Sequence, residues 1–296
     1  MKLSFSTRGW HNNSFEEFCD IAVDLGFEGI ELHNIHNRLF TEKDGAFHDY
    51  AAAATLRRLY EKNLSIPCID AVCNTADEQK ADEAFQEIAK CAEIAKNLKI
   101  PNIRLKAVGD PANEQGFETT ARLIERVLPV AKQNGVTLLL ETSGVFGNTV
   151  ALRDMLNRFA DDNLAALWNL SAAYFSGKET PEQIITNLGA YVRLVHFSDA
   201  EMTDDGISHC LAGEGELPIK DIMLALRSVN YDGFISLVWD PTWCPELDDS
   251  EIIFSQFINF IRQFSDTSKN EKVLYHNKRH TGVFPWKKDL LIEATF

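Results

Sequence analysis

The stretch "NIRLKA", Asn102 to Ala107, sets Ile103, Leu105 and Ala107 on one face of a strand and Arg104 with Lys106 on the other. It belongs to a beat that runs along the chain: a short β-rich run, a turn, then a longer amphipathic stretch. The other candidate strands are "KLSFST" from Lys2, "GIELHN" from Gly29, "SIPCIDAVCN" from Ser65, "VTLLLETS" from Val136, "LAALWNL" from Leu164, "YVRLVHFSD" from Tyr191 and "GFISLVWD" from Gly233. Between them, "SFEEFCDIAVDLG" opens with Ser14 and Glu17 in capping-box spacing and stops at Gly26. "DEAFQEIAKCAEIAKNL", "FETTARLIERVLPVAKQNG" and, after the last strand, "DDSEIIFSQFINFIRQF" repeat apolar residues at helical spacing. Eight strand–helix units suit an α/β fold of the (β/α)8 TIM barrel type, which typically takes about 250 residues. A doubly wound open sheet is the rival, but no G-x-G-x-x-G follows the first strand, and "GEGE" at 213–216 is too short and wrongly placed. The expected organisation is one barrel over residues 1–266 and a C-terminal extension over 267–296.

In a barrel, strand residues alternate between the lumen and the helix layer. With Ile103, Leu105 and Ala107 facing the helices, Arg104 and Lys106 face inward; with Ile30 and Leu32 outward, Glu31 and His33 face inward. The same parity turns Glu141, Asn169, His196 and Asp240 inward near the C-terminal ends of their strands, where this fold gathers its catalytic groups. Asn74 is a weaker member, because its strand alternates less clearly. Converging polar side chains are costly to bury without partners, at about 1–3 kcal/mol each. Trp10, His11 and Trp243 fall on loops at the expected mouth, where lining a pocket and lying on the surface are both open readings.

The gross composition excludes several classes. A net charge of −15 weighs against nucleic acid, which needs clustered Lys and Arg. No apolar run approaches the roughly 20 residues of a membrane span, and "MKLSFSTRGW" lacks the apolar core of a secretory signal. The six cysteines (19, 68, 73, 91, 210 and 244) form no C-x-x-C pair and read as reduced thiols of a cytoplasmic protein.

"MKLSFSTRGW", "LGFEGIELH", "LLLETSG", "LVHFSDA", "LAGEGELPI" and "YDGFISLVWDP" together resemble the xylose isomerase-like barrel superfamily of sugar and sugar-phosphate isomerases and epimerases. The resemblance implies a divalent metal, Mn²⁺ or Mg²⁺, on a Glu ending the fifth strand, an Asp ending the sixth, a His on the seventh and a Glu on the eighth. It also implies a substrate-binding His three residues after the Asp. Glu141 and His196 match. The stretch "ALWNLSAAY", 166–174, departs: Asn169 stands where the Asp would be and Ala172 where the His would be, while Val238 replaces the eighth-strand Glu. The ligand set left to the family site is Glu141, Asn169 and His196, with Asp240 as a displaced substitute. Hard cations favour anionic oxygen donors, so metal affinity is expected to fall.

The resemblance further implies proton transfer on a carbohydrate or polyol through an enediolate. Epimerisation in the family uses two bases on opposite faces of the substrate. With Val238 in place only Glu141 remains, a set suited to moving one proton between adjacent carbons or to starting an elimination, as in a related lyase. Lys106, assisted by Arg104, is the expected electrophile for the enediolate oxygen, with His196 as its catalytic neighbour and Arg104, His33, Glu31, Asn74, Trp10 and Asp240 as expected substrate contacts. Structural roles stand beside these: His196 bonded to Asp199, Glu31 with His33 as architecture, and Arg104 or Lys106 in a lumen ion pair with Glu31 or Glu141. His36, His48 and His209 receive no role, and "GEGELP" reads as a turn into the seventh helix. The rival to an isomerase is a barrel that has lost catalysis and serves as a sensing or docking domain. An abasic-site endonuclease on the same fold would need more metal ligands and a basic face. The tail "TGVFPWKKDLLIEATF", 281–296, resembles the opening segment of acyl-CoA synthetases, which implies a fused ligase domain. The alternative is a C-terminal arm packing on the barrel or on a partner subunit in a homo-oligomer.

Overall fold

The computed structural model describes residues 1–264 apart from 11, 42–44, 112 and 246–248. Eight strands close into a parallel barrel: β1 (Lys2–Ser6), β2 (Gly29–His33), β3 (Cys68–Asn74), β4 (Asn102–Lys106), β5 (Thr137–Glu141), β6 (Leu164–Asn169), β7 (Val192–Phe197) and β10 (Phe234–Leu237), which pairs β7 on one side and β1 on the other. Two further strands, β8 (Asp199–Thr203) and β9 (Gly206–Cys210), form an antiparallel hairpin directly after β7. The barrel lies in the compact unit Met1–Ile258; of the second unit, Asn259–Phe296, the described residues 259–264 are helical. The expected boundary at 266/267 and the ligase-like tail fall outside the described residues, as does His11.

The helices follow from local signals. α1 (Phe15–Leu25) starts where the Ser14 hydroxyl accepts from the Glu17 N–H while Glu17 accepts from the Ser14 N–H, and it ends at Gly26 in the left-handed conformation. The longer crossovers α4 (Ala81–Leu98) and α5 (Glu114–Asn134) present apolar stripes to β3, β4 and β5. None of the described helices is long and apolar enough to cross a membrane.

Two apolar layers bracket the polar lumen. Inside, Cys68, Leu139, Ala165, Leu167 and Leu194, with Phe234 beside them, plug the barrel. Outside, Phe5 faces away from the lumen and stacks on Phe254 at 4.3 Å between ring centroids, and Phe27 lies 6.2 Å from Phe257. The helix that begins at residue 250 therefore seals the seam between first and last strands through aromatic side chains that are fully buried. In β3 the register shifts between Asp70 and Asn74, which explains why its alternation was indistinct. Replacing Phe254 with Ala is expected to destabilise the fold by about 3–5 kcal/mol in denaturant melts; a loss under about 1 kcal/mol would contradict a seam closed by ring packing.

Candidate active site in the barrel lumen

The strand parity set by the outward apolar residues turns the charged side chains of β2 to β7 into one lumen, where they meet. Arg104, 6% exposed, is the hub. Its Nε donates to Glu141 Oε2 at 2.6 Å, its Nη2 pairs with the same carboxylate, and its Nη1 donates to Asp70 Oδ2 at 3.4 Å. Asp70 Oδ2 also meets His33 Nδ1 at 3.0 Å. On the far side of the lumen, His196 Nε2 lies 2.7 Å from Glu31 Oε1, both groups fully enclosed. The structural partner expected for His196, Asp199, is elsewhere: its carboxylate accepts the backbone N–H groups of Ala200, Gly213 and Gly215 and so folds the "GEGE" turn. A Cβ at Gly215 would lie 2.2 Å from Asp199 Oδ1, so this turn has no room for a side chain.

Asn169, at the end of β6, has both ends of its amide committed. Its Oδ1 accepts from the Ala172 N–H at 3.1 Å and from the Ser171 hydroxyl at 3.2 Å, which assigns the nitrogen to the other side, where Nδ2 donates to Glu141 Oε1 at 2.5 Å. Both oxygens of Glu141 thus accept from nitrogen. Burial would push its carboxyl up, but Arg104 above all, then His196, Lys106 and Asn169, outweigh it and hold Glu141 below the usual range. Asp70 is likewise held low against its burial by Arg104 and His33. Burial raises Glu31, and the Glu31 charge raises His196 against its own burial, so this pair retains a proton.

Above the network lies a cavity of about 220 Å³, the size of a small metabolite rather than a drug-like ligand. Arg104, Lys106, Glu141, Asn169 and His196 line it, with Val238 where a second carboxylate was sought. Among the described residues Lys106 has no ion-pair partner. The remaining expected contacts stand off the lining. Glu31 and His33 engage His196 and Asp70, while Asn74 accepts the N–H groups of Ala76 and Val108 and ties two loops together. Trp10 is buried edge-on against Phe254, and Asp240 holds Arg8. Sequence reasoning overlooked Asp70 and Arg8 and gave His209 no role. Asp70 stands between the apolar Ile69 and Ala71, but the irregular period of β3 obscured its direction; His209 depended on the hairpin, whose apolar alternation is confined to Ala200, Met202 and Ile207.

A divalent ion does not fit Glu141, Asn169 and His196 as they stand. The Glu141 oxygens face a guanidinium and an amide nitrogen, the Asn169 oxygen caps a backbone turn, the His196 Nε2 is on Glu31, and Val238 offers no donor. Another grouping, Glu31, Cys68 and Asp70, brings one ligand atom from each residue within 4.8 Å of the others, with Glu31 Oε2 and Asp70 Oδ1 buried and unpaired.

A closed parallel barrel whose polar network and cavity sit inside the carboxyl ends of its strands defines a TIM-barrel protein with a small-molecule site. The chain belongs to the xylose isomerase-like TIM barrel family, whose model matches residues 19–262. It is 22% identical over 261 residues to fructoselysine 3-epimerase of Escherichia coli O157:H7, covering 80% of this chain and 90% of that protein. Solved structures sharing the fold include a D-tagatose 3-epimerase-like protein, at TM-score 0.71 and 17% identity over 92% of this chain and all (100%) of that one. The IolI protein with a bound zinc atom matches at TM-score 0.72 and 16% identity over 88% and 96% of the two chains.

Removing the guanidinium with Arg104→Met strands two buried carboxylates and is expected to cost about 3–5 kcal/mol at pH 7. Glu141 and Asp70 have folded values below their unfolded ones, so what they contribute is present above about pH 4–5 and is lost as pH falls through the folded values. The gap between wild type and variant in denaturant melts should therefore shrink on acidification; a gap independent of pH would contradict the pairing.

Proposed function

We propose that the barrel binds a small carbonyl-bearing polyol or sugar and moves a proton between adjacent carbons, an isomerase reaction without a metal at the family position. The observation that carries this reading is that Glu141, Lys106 and His196 all line one cavity. Glu141, ionised at neutral pH, takes the proton from the carbon beside the carbonyl. The C–H electrons form the carbon–carbon double bond, and the carbonyl pair moves onto oxygen. The Lys106 ammonium and the His196 imidazole stabilise that oxygen by donating to it. The proton of the adjacent hydroxyl passes to that oxygen. The second oxygen's electron pair forms the new carbonyl as Glu141 returns its proton to the former carbonyl carbon, which completes an aldose–ketose exchange. Epimerisation would need an acid on the opposite face, where Val238 supplies none.

A second reading rests on one observation, that both Glu141 oxygens are already hydrogen-bonded. A carboxylate so occupied is a weak base, which favours a barrel that binds its ligand without turning it over.

Proton exchange separates the two. Ketoses and aldoses incubated with the protein in D₂O should gain deuterium beside the carbonyl, followed by NMR. Glu141→Gln is expected to slow exchange by about 100-fold or more, and Lys106→Met to slow it through kcat. Absence of exchange across a broad panel of sugars that demonstrably bind would leave the non-catalytic reading.

A further inference from the structure

The lumen has spent most of its carboxylate and amide acceptors on itself. Glu141 accepts Arg104 and Asn169, Asn169 Oδ1 accepts Ser171 and Ala172, and Asp199 accepts three backbone N–H groups. The unpaired oxygen of Glu31 lies off the cavity lining, and Asp70, which does line it, has one buried oxygen without a partner. Beside Asp70 and the serine hydroxyls, two cations on the lining have donor capacity to spare: the Lys106 amine and the guanidinium of Arg8. A neutral sugar offers as many donors as acceptors, whereas a carboxylate or phosphate offers acceptors alone.

Arg8 is held as an anion receptor is held. It follows the end of β1, and its Nε donates to Asp240 Oδ2 at 3.2 Å. The other oxygen of Asp240 is fixed by the Thr242 N–H and hydroxyl at 3.1 and 2.7 Å. The guanidinium lies over the Trp243 ring at 5.3 Å, and His209 stacks on the same ring at 3.9 Å with its Nδ1 buried and unpaired. The loop beneath cannot slide, since Gly9 runs so close to the strand-β10 loop that a Cβ there would lie 2.4 Å from Pro241 Cδ. Among the described residues the two terminal nitrogens of Arg8 carry no hydrogen bond, and its side chain is 31% exposed. A guanidinium anchored through Nε and backed by an aromatic ring leaves those two nitrogens free for bidentate contact with a planar or tetrahedral anion. All this stands in a chain of net charge −15, where a cationic cavity is set against the bulk of the molecule.

We propose that Arg8, positioned by Asp240 and Trp243, is the specificity-determining residue of this cavity, and that it selects substrates bearing an anionic group, a carboxylate or a phosphate, remote from the reacting carbonyl at Lys106. This rests on the reading of the cavity as the substrate site. Arg8, in the turn just after β1, stands three barrel strands from Lys106 on β4, so one ligand would span the cavity between two cations.

The test is calorimetric titration of the full chain with three related ketones: D-fructose, D-fructose 6-phosphate and 5-keto-D-gluconate. At least one of the two anions should bind about tenfold or more tightly than fructose, the ratio expected of one bidentate charge-assisted contact; the arm that does so identifies phosphate or carboxylate. Arg8→Met should collapse that ratio, Arg8→Lys should restore part of it, and added salt should weaken the anion more than fructose. Should Arg8→Met melt early, Asp240→Asn, which weakens the hold on Nε but keeps the arginine, is expected to lower the ratio as well. Fructose binding as tightly as both anions, a ratio that survives Arg8→Met, or no binding of either anion at millimolar concentration would overturn the assignment. Deuterium exchange on the same ligands keeps the two ideas apart. Anion preference without exchange removes the proton-transfer reading and leaves Arg8 in its role; exchange without anion preference does the reverse.

Discussion

The ion pair between Arg104 and Glu141, with Asp70 on the same guanidinium, governs the rest of this lumen. Carboxylates inside a barrel sheathed by helices stay ionised only when positive charge lies against them. That charge can in principle come from a metal cation held by several acids or from a basic side chain. Here a fixed guanidinium supplies it, and the two solutions exclude each other. A divalent ion about 4 Å from Arg104 would meet a repulsion of roughly 8 kcal/mol at an effective dielectric of about 20. With Val238 and the turned-away oxygen of Asn169 offering little to offset it, the site favours arginine.

That choice reshapes what the cavity presents. Once Arg104 and Asn169 have satisfied Glu141, the charged groups on the lining with capacity to spare are one oxygen of Asp70 and the cations of Lys106 and Arg8. His196 is drawn down onto Glu31, and Lys106 is left without a carboxylate of its own. The basic and imidazole groups that line the cavity are Arg8, Arg104, Lys106, His196 and His209.

Much of the fold was legible because it rests on period and punctuation. The alternation of "NIRLKA" gave the inward set of β4 directly, and the Ser14–Glu17 pair gave the start of α1. Parity also found Glu31, His33, Glu141, Asn169 and His196 in the lumen. The partners of these residues were not legible. Whether Glu31 pairs with His196 or His33 depends on side chains reaching across the barrel, and strand parity fixes direction but not reach. Asp70 was lost to the register shift in β3, which blurs the period just beyond it. The mouth was hidden for a different reason: β8 and β9 are five-residue strands whose apolar alternation extends only over Ala200, Met202 and Ile207, too short to mark a hairpin, so the approach of His209 to Trp243 has no local signature.

The most direct measurement is calorimetric titration of Mn²⁺ into wild-type protein and into Arg104→Met. If the guanidinium has taken over the neutralisation of Glu141, the wild type should take up no ion at that carboxylate, and any binding gained by the Arg104→Met variant should vanish when Glu141→Gln is added. Near-stoichiometric Mn²⁺ binding by the wild type that Glu141→Gln abolishes would contradict it.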